Sequence, residues 1–428
     1  MKDKNKIIFL IIVLIIILVL GCLIYKKVFV QESEKPQPTN PIVLNDNEFN
    51  ANIIKSVAQL EEPNKNFLIS PYSIEIALNM LRDGANGETK TQIDNVINQR
   101  TINDLQIKNR INVANAAFIK NEYKKDVIEK YYRKIQNDYK GEILYDEYRT
   151  PKIINDWVNK ETYGMIPTLI EHIDPNFALG IANAMAIDVE WANSFKCDFT
   201  GSEEFTKEDE SKINVSMMHQ NDVYAKYFDT EQEKGIVLPY KTYDENGEEV
   251  YDESDELSNL EFIGILPKDN ITSYINSLTN ETFTKIDTNI KEPSENEKIN
   301  LSLPMFNYDY EINDFKQVLQ NMGIVDVFDE DKADLSNMIV KKGANFYVSE
   351  AIHKTHIDLN EKGTKAAAVT AFIVNETTAL PDKEKTIIEI KFNKPFAYII
   401  RDSKTKEILF FGVVHEPSKW NGSTCSKE

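Results

Sequence analysis

Apolar residues recur along the chain at two spacings, and each spacing predicts a different kind of element. Near residue 47 the helical spacing predicts a first helix, which contains Phe49, Ile53, Ile54, Val57 and Leu60. A second helix is predicted over residues 73–81, because Ser70 and Pro71 provide a start signal just before it. The early part of the globular region is therefore expected to be rich in helix.

Apolar runs of strand length become frequent after residue 260, although two occur earlier. They lie at residues 113–119, 181–189, 262–266, 299–303, 387–392 and 396–400. Helices early in the chain and strands late in it are typical of an α+β fold with a large sheet. No internal repeat and no strong linker divides this part, so we expect one domain over residues 47–417 and a tail at 418–428.

The amino terminus carries a different pattern. Lysines at positions 2, 4 and 6 precede an uncharged apolar run from Ile7 to Tyr25, and Lys26 and Lys27 follow it. Nineteen such residues, at about 1.5 Å each, nearly span a bilayer core of about 30 Å. The early lysines favour a cytoplasmic amino terminus. Residues 1–27 are therefore predicted to be an uncleaved signal anchor, with the remainder extracellular at the cell membrane.

A lipoprotein signal is the alternative for the same segment. The run contains Val19-Leu20-Gly21-Cys22, which is an imperfect lipobox because Leu20 stands where a small residue is usual. In that case Cys22 would be lipidated after cleavage, and the rest of the chain would still lie outside the membrane. Residues 28–46 contain three prolines among polar residues, which predicts a semi-extended stem.

Composition narrows the possible partners. The formal net charge is −20, which disfavours nucleic acid because phosphate binding needs clustered lysine and arginine. The three cysteines are Cys22, Cys197 and Cys425, and no CxxC pair suggests a metal site. Cys197 and Cys425 are expected to be separate thiols, with one bridge between them as the alternative.

Common signatures of catalysis are absent from the sequence. It contains no GxSxG nucleophile elbow, no HExxH zinc motif and no phosphate-binding P-loop. Together with the lack of a metal-binding pattern, this is consistent with a protein that is not an enzyme and that uses neither a metal nor a cofactor.

Several segments match the signature sequences of one family, in the family's order; one is Asn66-Phe-Leu-Ile-Ser-Pro-Tyr-Ser-Ile. The others are residues 154–166, 182–184, 303–306, 319–324, 333–336, 348–354, 360–368, 392–396 and 408–412, with Trp191, Phe195 and Thr200. Through these motifs the chain resembles the serpins, a family of serine protease inhibitors, over residues 47–417. One such motif alone is weak, but six or more in register form a specific resemblance.

The resemblance implies an architecture and a mechanism. Serpins have three β-sheets, about nine helices and an exposed reactive-centre loop near the carboxyl terminus. A target protease cuts this loop, which then inserts into the main sheet as a new strand, so the inhibitor is a suicide substrate. The protease stays attached through its own serine, and the inhibitor needs no nucleophile or cofactor.

The residues of the expected loop, from Glu361 to about Pro381, fit such an insertion. Its hinge would consist of Glu361, Gly363, Thr364, Ala366, Ala367, Ala368 and Thr370. Alternate side chains of an inserted strand face the core. One alternate set carries no charge and becomes apolar along its length: Thr364, Ala366, Ala368, Thr370, Phe372 and Val374. Lys365 falls on the opposite face, and no proline interrupts residues 362–380.

The family's spacing from Glu361 places the bond to be cut between Thr377 and Thr378. Because the stretch that follows is longer than in the family, Glu376 and Ala379 are alternative cleavage positions. Threonine or alanine suits elastase-like or subtilisin-like proteases, whereas Glu376 suits a glutamate-specific protease. The expected partners are extracellular serine proteases, and the chain is expected to be a monomer.

The resemblance also assigns roles to polar residues within the fold. The shutter, a hydrogen-bonded cluster that controls opening of the main sheet, would consist of Ser70, Ser73, Asn183 and His353. Insertion would start at the top of this sheet, in a region called the breach, near Trp191, Glu361 and Lys362. The serine and histidine of the shutter are expected to form a structural network and not a catalytic pair.

Two features depart from the family pattern. Residues 241–258 form an acidic insertion, which we interpret as a solvated loop in preference to a calcium or partner site. Val189-Glu190 replaces the family's Lys-Gly before the tryptophan, which would alter the local loop geometry.

Three other functions are consistent with parts of the sequence. The chain could be a non-inhibitory serpin that acts as a binding module, or an inhibitor of cysteine proteases that uses the same loop. It could also be a hydrolase that uses Ser70, which the missing nucleophile elbow disfavours.

Overall fold

The computed structural model describes residues 47–97, 110–223, 225–244, 246–250, 259–364 and 385–422. The predicted anchor and stem therefore lie outside the described residues, and so do loop residues 365–384. No helix within the described ranges is long and apolar enough to cross a membrane. All of these ranges belong to one compact unit of the chain.

Eight α-helices lie within the described ranges. They are α1 (Asn47–Ala58), α2 (Pro71–Gly84), α3 (Gly87–Asp94), α4 (Glu129–Asp138), α5 (Lys152–Glu161), α6 (Ile271–Asn276), α7 (Asn280–Asn289) and α8 (Phe315–Asn321). The predicted start of α2 is confirmed, since Oγ of Ser70 accepts a hydrogen bond from the N–H of Ser73 over 3.1 Å. Apolar residues of α1 are buried, but Leu60 lies beyond its end and is exposed.

The first nine strands occupy the chain up to residue 239. They are β1 (Phe67–Ile69), β2 (Ile111–Lys120), β3 (Glu142–Asp146), β4 (Leu179–Ile187), β5 (Val189–Glu190), β6 (Thr200–Thr206), β7 (Lys212–Asn221), β8 (Lys226–Asp229) and β9 (Glu233–Pro239). Eight more follow: β10 (Leu260–Pro267), β11 (Glu297–Pro304), β12 (Phe306–Glu311), β13 (Lys354–Leu359), β14 (Gly363–Thr364), β15 (Thr386–Lys391), β16 (Phe396–Asp402) and β17 (Ile408–Val414). The six predicted strands are all present.

Two of the sheets do not contain the predicted hinge residues Gly363 and Thr364. One has six antiparallel strands in the order β1-β17-β16-β10-β9-β8, and every residue of β16 and β17 is buried. The second has four strands in the order β15-β11-β7-β6, with β15 parallel to β11. Residues beyond 417 continue this second sheet, because the N–H of Trp420 donates to the carbonyl of Asn214 on β7.

The third sheet, which we call the main sheet, is divided into two parts. One part has the order β3-β2-β4 and the other β12-β13-β14-β5. Asp188 alone separates β4 from β5 in the sequence, so these two strands connect the parts. Helix α2 contacts both β4 and β17, and its buried residues include Ile74, Ile76 and Leu78. The helix therefore joins the main sheet to the six-stranded sheet.

Candidate functional site

Hinge residues Gly363 and Thr364 form β14, which lies between β13 and β5 in the main sheet. Gly363 is opposite Glu190 and Thr364 is opposite Val189, while Thr364 is also opposite Leu359 on β13. These two residues of the predicted hinge are thus already paired as a strand within the main sheet. The later hinge residues Ala366, Ala367, Ala368 and Thr370 and the cleavage candidates at 376–379 lie outside the described residues.

The backbone of β14 lies directly against that of β5. A Cβ atom added to Gly363 would lie 2.2 Å from the carbonyl oxygen of Val189 and 2.7 Å from Cα of Glu190. Such distances are shorter than carbon atoms tolerate, so any larger residue would push the two strands apart. Glycine is needed here for close approach, as well as for the backbone freedom that the sequence predicted.

Trp191 and Tyr240 form the floor beneath the hinge. Their rings stack with centroids 4.6 Å apart and planes 7° from parallel, and both side chains are buried. Nε1 of Trp191 donates to the carbonyl of Asn360 over 2.9 Å, and the Tyr240 hydroxyl lies 2.6 Å from Oγ1 of Thr364. The stack therefore fixes both ends of the turn that reverses the chain between β13 and β14.

Glu361 is buried within that turn, with 2% of its surface exposed. Its Oε1 accepts a hydrogen bond from Oγ1 of Thr200 over 3.0 Å, and its carbonyl accepts one from the N–H of Phe195. The carbonyl of the next residue, Lys362, accepts from the N–H of Trp191. The structure thus brings together Trp191, Glu361 and Lys362, which the sequence assigned to the breach.

Ser70, Ser73, Asn183 and His353 also meet, in one hydrogen-bonded chain. Nε2 of His353 accepts from the N–H of Ser70 over 3.0 Å, and the hydroxyl of Ser70 accepts from the N–H of Ser73. The hydroxyl of Ser73 donates to Oδ1 of Asn183, whose amide donates to Asn115 over 2.7 Å. The chain runs from the edge of β13 through the start of α2 to β4 and β2.

His353 is uncharged in this environment. Burial disfavours the imidazolium and lowers the pKa of His353 to about 3. Its Nε2 faces the backbone N–H of Ser70, whereas the Ser70 hydroxyl points to Sδ of Met185, 3.8 Å away. A serine and a histidine therefore adjoin without the base-to-hydroxyl contact that an activated nucleophile needs.

A cavity of about 200 Å³, which we call the slot, lies below β14. Residues 179–184 of β4 line one side and residues 348–354 line the other. Within the described part of the chain, no backbone hydrogen bond joins β4 to residues 345–353. The main sheet is therefore closed at its top by β14 and open below it.

The described part of the acidic insertion is an ordered turn whose base is held on β5. Lys241 donates its N–H to the carbonyl of Glu190 over 2.8 Å, and Tyr243 is buried. The interpretation of the insertion as a solvated loop therefore fits its exposed tip, which includes Glu248 and Glu249, but not this base. Residues 251–258 lie outside the described residues.

The described residues contain no group of three or more His, Cys, Asp or Glu that could hold a metal ion. Cys197 is half-buried in a short 3-10 turn at Cys197–Phe199. Cys425 and Cys22 lie outside the described residues, so a bridge and a lipid anchor both stay predictions.

Sequence reasoning missed three participants in this region. Tyr240 contacts the hinge, Asn115 extends the shutter chain, and Lys241 contacts β5. Tyr240 had a detectable signal, because it ends the apolar run of β9 just before the acidic insertion. Asn115 interrupts an alanine-rich buried strand, where an amide needs a partner.

A model of the family described as serpin (serine protease inhibitor) matches residues 44–417. An uncharacterized serpin-like protein of Methanosarcina acetivorans is 28% identical, over 84% of this chain and 83% of that protein. The residues that the family model matches include those of the predicted hinge, the slot and the predicted shutter.

Two solved structures are similar in fold. The crystal structure of a thermophilic serpin, tengpin, in the native state has a TM-score of 0.73 and 27% identity, and it covers 90% of this chain and 96% of that chain. A structure of thyroxine-binding globulin in complex with thyroxine has a TM-score of 0.70 and 25% identity, and it covers 88% and 99%.

Proposed function

This chain belongs to the serpin family, and from that premise we propose that it inhibits extracellular serine proteases as a suicide substrate. The loop after β14 is the bait, and cleavage occurs between Thr377 and Thr378, with Glu376 and Ala379 as alternative positions. Elastase-like or subtilisin-like proteases are the proposed targets. The chain acts as a monomer and performs no catalysis of its own.

The observation that carries this proposal is β14, which fills the first position between β13 and β5 above an open slot. Continuing its register downward by six residues from Thr364 reaches Thr370. Six residues back from Val189 is Asn183, and six back from Leu359 is His353. An inserted strand in continuous register would therefore bring Thr370 between the two sides of the shutter.

The side chains of the proposed strand fit the same register. Thr364 is buried, and its hydroxyl contacts Tyr240, so the set that alternates with it faces the core. Roughly ten new ladder hydrogen bonds, each worth about 0.5–1.5 kcal/mol, would favour the inserted state. The uncut chain is held from that state by a barrier, so its stability is kinetic.

The chemistry belongs to the protease. Its serine Oγ attacks the carbonyl carbon of Thr377, the bond to the nitrogen of Thr378 breaks, and that nitrogen leaves as an amine with a proton from the protease's histidine. An ester then joins the protease to the cut loop. Insertion moves the ester before water can hydrolyse it, because the hinge has a place in the sheet from the start.

The test is to mix the full chain, in detergent, with subtilisin, elastase or a glutamate-specific protease. We expect a complex that survives boiling in denaturant, and a released peptide whose first residue is Thr378. Cleavage near Thr377 by every protease without any such complex would overturn the inhibitory proposal. Complexes with papain-like enzymes alone would reassign the chain to cysteine proteases.

A binding module is the second candidate, because a similar structure is that of thyroxine-binding globulin with thyroxine. It predicts cleavage without a complex and no gain in heat resistance after cleavage. The uncharged buried face of β14 favours the inhibitor, since a binding module does not need a hinge that fits a sheet.

The amino-terminal segment gives the proposed inhibitor a location. We propose that residues 1–27 anchor the chain in the cell membrane, as a signal anchor or through a lipid on Cys22, with the serpin domain on the outer side. The uncharged run of nineteen residues supports this placement. Fractionation of cells and protease treatment of intact cells would test it.

A further inference from the structure

The acidic insertion continues the main sheet at the point where the hinge begins. Asp188 donates its N–H to the carbonyl of Arg110, just before β2. Two residues further on, the N–H of Glu190 donates to the Tyr243 hydroxyl over 3.1 Å, and its carbonyl accepts from Lys241. The insertion therefore takes over from β2 as the neighbour of β5.

Charged side chains strengthen this edge. Nζ of Lys241 lies 2.8 Å from Oε2 of Glu190 and 2.9 Å from Oε2 of Glu249. Arg110 lies 3.9 Å from the other Glu190 oxygen, and its guanidinium lies 4.5 Å from the centre of the Tyr243 ring. Two cationic side chains, Lys241 and Arg110, and the aromatic side chain of Tyr243 thus lie around Glu190.

The Lys241–Glu190 pair is shielded from solvent. The side chains of Lys241 and Glu190 are 14% and 13% exposed. Burial acts to lower the pKa of Lys241, but the carboxylates of Glu190 and Glu249 outweigh it and hold that pKa above its ordinary value. The ammonium group therefore stays charged, and breaking the pair would leave a poorly hydrated Glu190.

The opposite edge of β5 carries the hinge. Gly363 is opposite Glu190, and the N–H of Trp191 donates to the carbonyl of Lys362 over 2.9 Å. Glu190 is thus fixed by the insertion on one edge and contacted by the hinge on the other. A shift of β5 would move the position at which strand insertion begins.

We propose that residues 241–244 and 246–250 act as a latch that fixes β5 for the hinge, with Lys241 and Glu190 as positioning residues for loop insertion. The inference deepens the proposed function and rests on it. Insertion adds residues to a strand whose first position already exists, so a fixed β5 shortens the time before the cut loop is captured. A loose β5 gives water more time to release the protease.

The central experiment compares the full-length wild type in detergent with its Lys241→Met variant. The measured quantity is the number of inhibitor molecules consumed for each protease molecule trapped. We expect this number to rise by about threefold, which matches the modest energy of a partly shielded ion pair. The rate of first cleavage should not change, because the bait residues are intact.

Matched variants separate the latch from a general loss of charge or of folding. Lys285→Met removes a lysine from α7 that is 62% exposed, and it should behave as wild type. Lys241→Arg keeps the charge and should restore most of the trapping. Glu190→Gln should resemble Lys241→Met, and the double variant should be less impaired than the sum of the two single ones, because the two variants share the loss of the Lys241–Glu190 contact.

A second measurement distinguishes the latch from the inhibitory function. Chains cut in the loop are heated, and the fraction that has become heat-resistant is followed over time. If wild type forms no covalent complex but Lys241→Met acquires resistance more slowly, the latch stands and the inhibitory proposal fails. If wild type traps protease and Lys241→Met matches it in both assays, the latch is wrong. A variant with unchanged cleavage kinetics cannot owe its defect to unfolding.

Discussion

The backbone N–H of Ser70 donates to Nε2 of His353 over 3.0 Å, although 283 residues separate the two in sequence. Ser70 also caps α2, and His353 stands at the edge of the slot just before β13. This bond connects the start of a buried helix to the residue before β13, the strand that borders the proposed place of insertion. It requires that Nε2 carry no proton, because a protonated nitrogen cannot accept.

The first prediction concerns acid. The pKa of His353 is lowered from 6.5 to about 3, so the unfolded chain binds a proton in that interval while the folded chain does not. This contribution to stability is present above pH 6.5 and is lost as the pH falls toward 3, with a slope of at most about 1.4 kcal/mol per pH unit. Urea unfolding between pH 4 and 7 measures it.

His353→Gln supplies the comparison for that experiment. Glutamine cannot titrate, so the variant should lose less stability on acidification than wild type does. If the free energy of unfolding had the same pH dependence in the two proteins, the assignment of a neutral, buried His353 would be contradicted.

The second prediction concerns the hydroxyl contact between Tyr240 and Thr364. Tyr240→Phe keeps the stack on Trp191 but leaves the Thr364 hydroxyl buried without its partner, which should cost about 1–3 kcal/mol. Adding Thr364→Val removes that hydroxyl, so the double variant should recover most of the loss. Unfolding rates of the single and double variants would measure the coupling, and strictly additive effects would show that the contact is weak.

The third prediction uses the two faces of the hinge strand. Thr364 is a buried residue of β14, so Thr364→Arg would put a charge into the core and should abolish the denaturant-stable complex while leaving loop cleavage intact. Lys365→Glu alters the neighbouring residue on the predicted outer face and should still trap protease. Gel analysis of both variants with the same protease measures the amount of denaturant-stable complex. Equal amounts from the two variants would contradict the proposed orientation of the strand.

The fourth prediction separates the two proposed anchors. Under the lipoprotein alternative, Cys22→Ser abolishes cleavage of the precursor and the lipid mass on the mature chain. Under the signal-anchor proposal, the variant has the mass and membrane fraction of wild type. Intact-mass measurement of membrane fractions distinguishes the two, and recovery of wild type in the soluble fraction would exclude both.

Much of the fold could be predicted from the sequence, and membership of the serpin family is confirmed. The reason is physical, since α2 has a capped start and residues 396–400 of β16 form an apolar run that is buried. Each of these signals is local. The serpin resemblance then supplied the number of sheets, which periodicity alone does not determine.

Other features depend on contacts between distant residues and carry no local signal. Below β14 the main sheet is open, because no backbone hydrogen bond pairs β4 with residues 345–353. No pattern in either segment reveals this opening. The acidic insertion looked solvated because its charges were counted without their partners. Lys241 has two such partners, Glu190 on β5 and Glu249 within the insertion, and the first is distant from it in the sequence.

The two ends of the loop are held in different sheets. β14 belongs to the main sheet, whereas β15, after the loop, pairs in parallel with β11 along six residues of the second sheet. A loop closed at both ends cannot add a full strand unless one end is released, and in the proposed mechanism cleavage of the bait by the protease releases it. Under the proposed function, the reaction would therefore be irreversible for both molecules. The protective capacity of a cell would then be set by copy number rather than by turnover, and each protease disarmed would have to be matched by new synthesis.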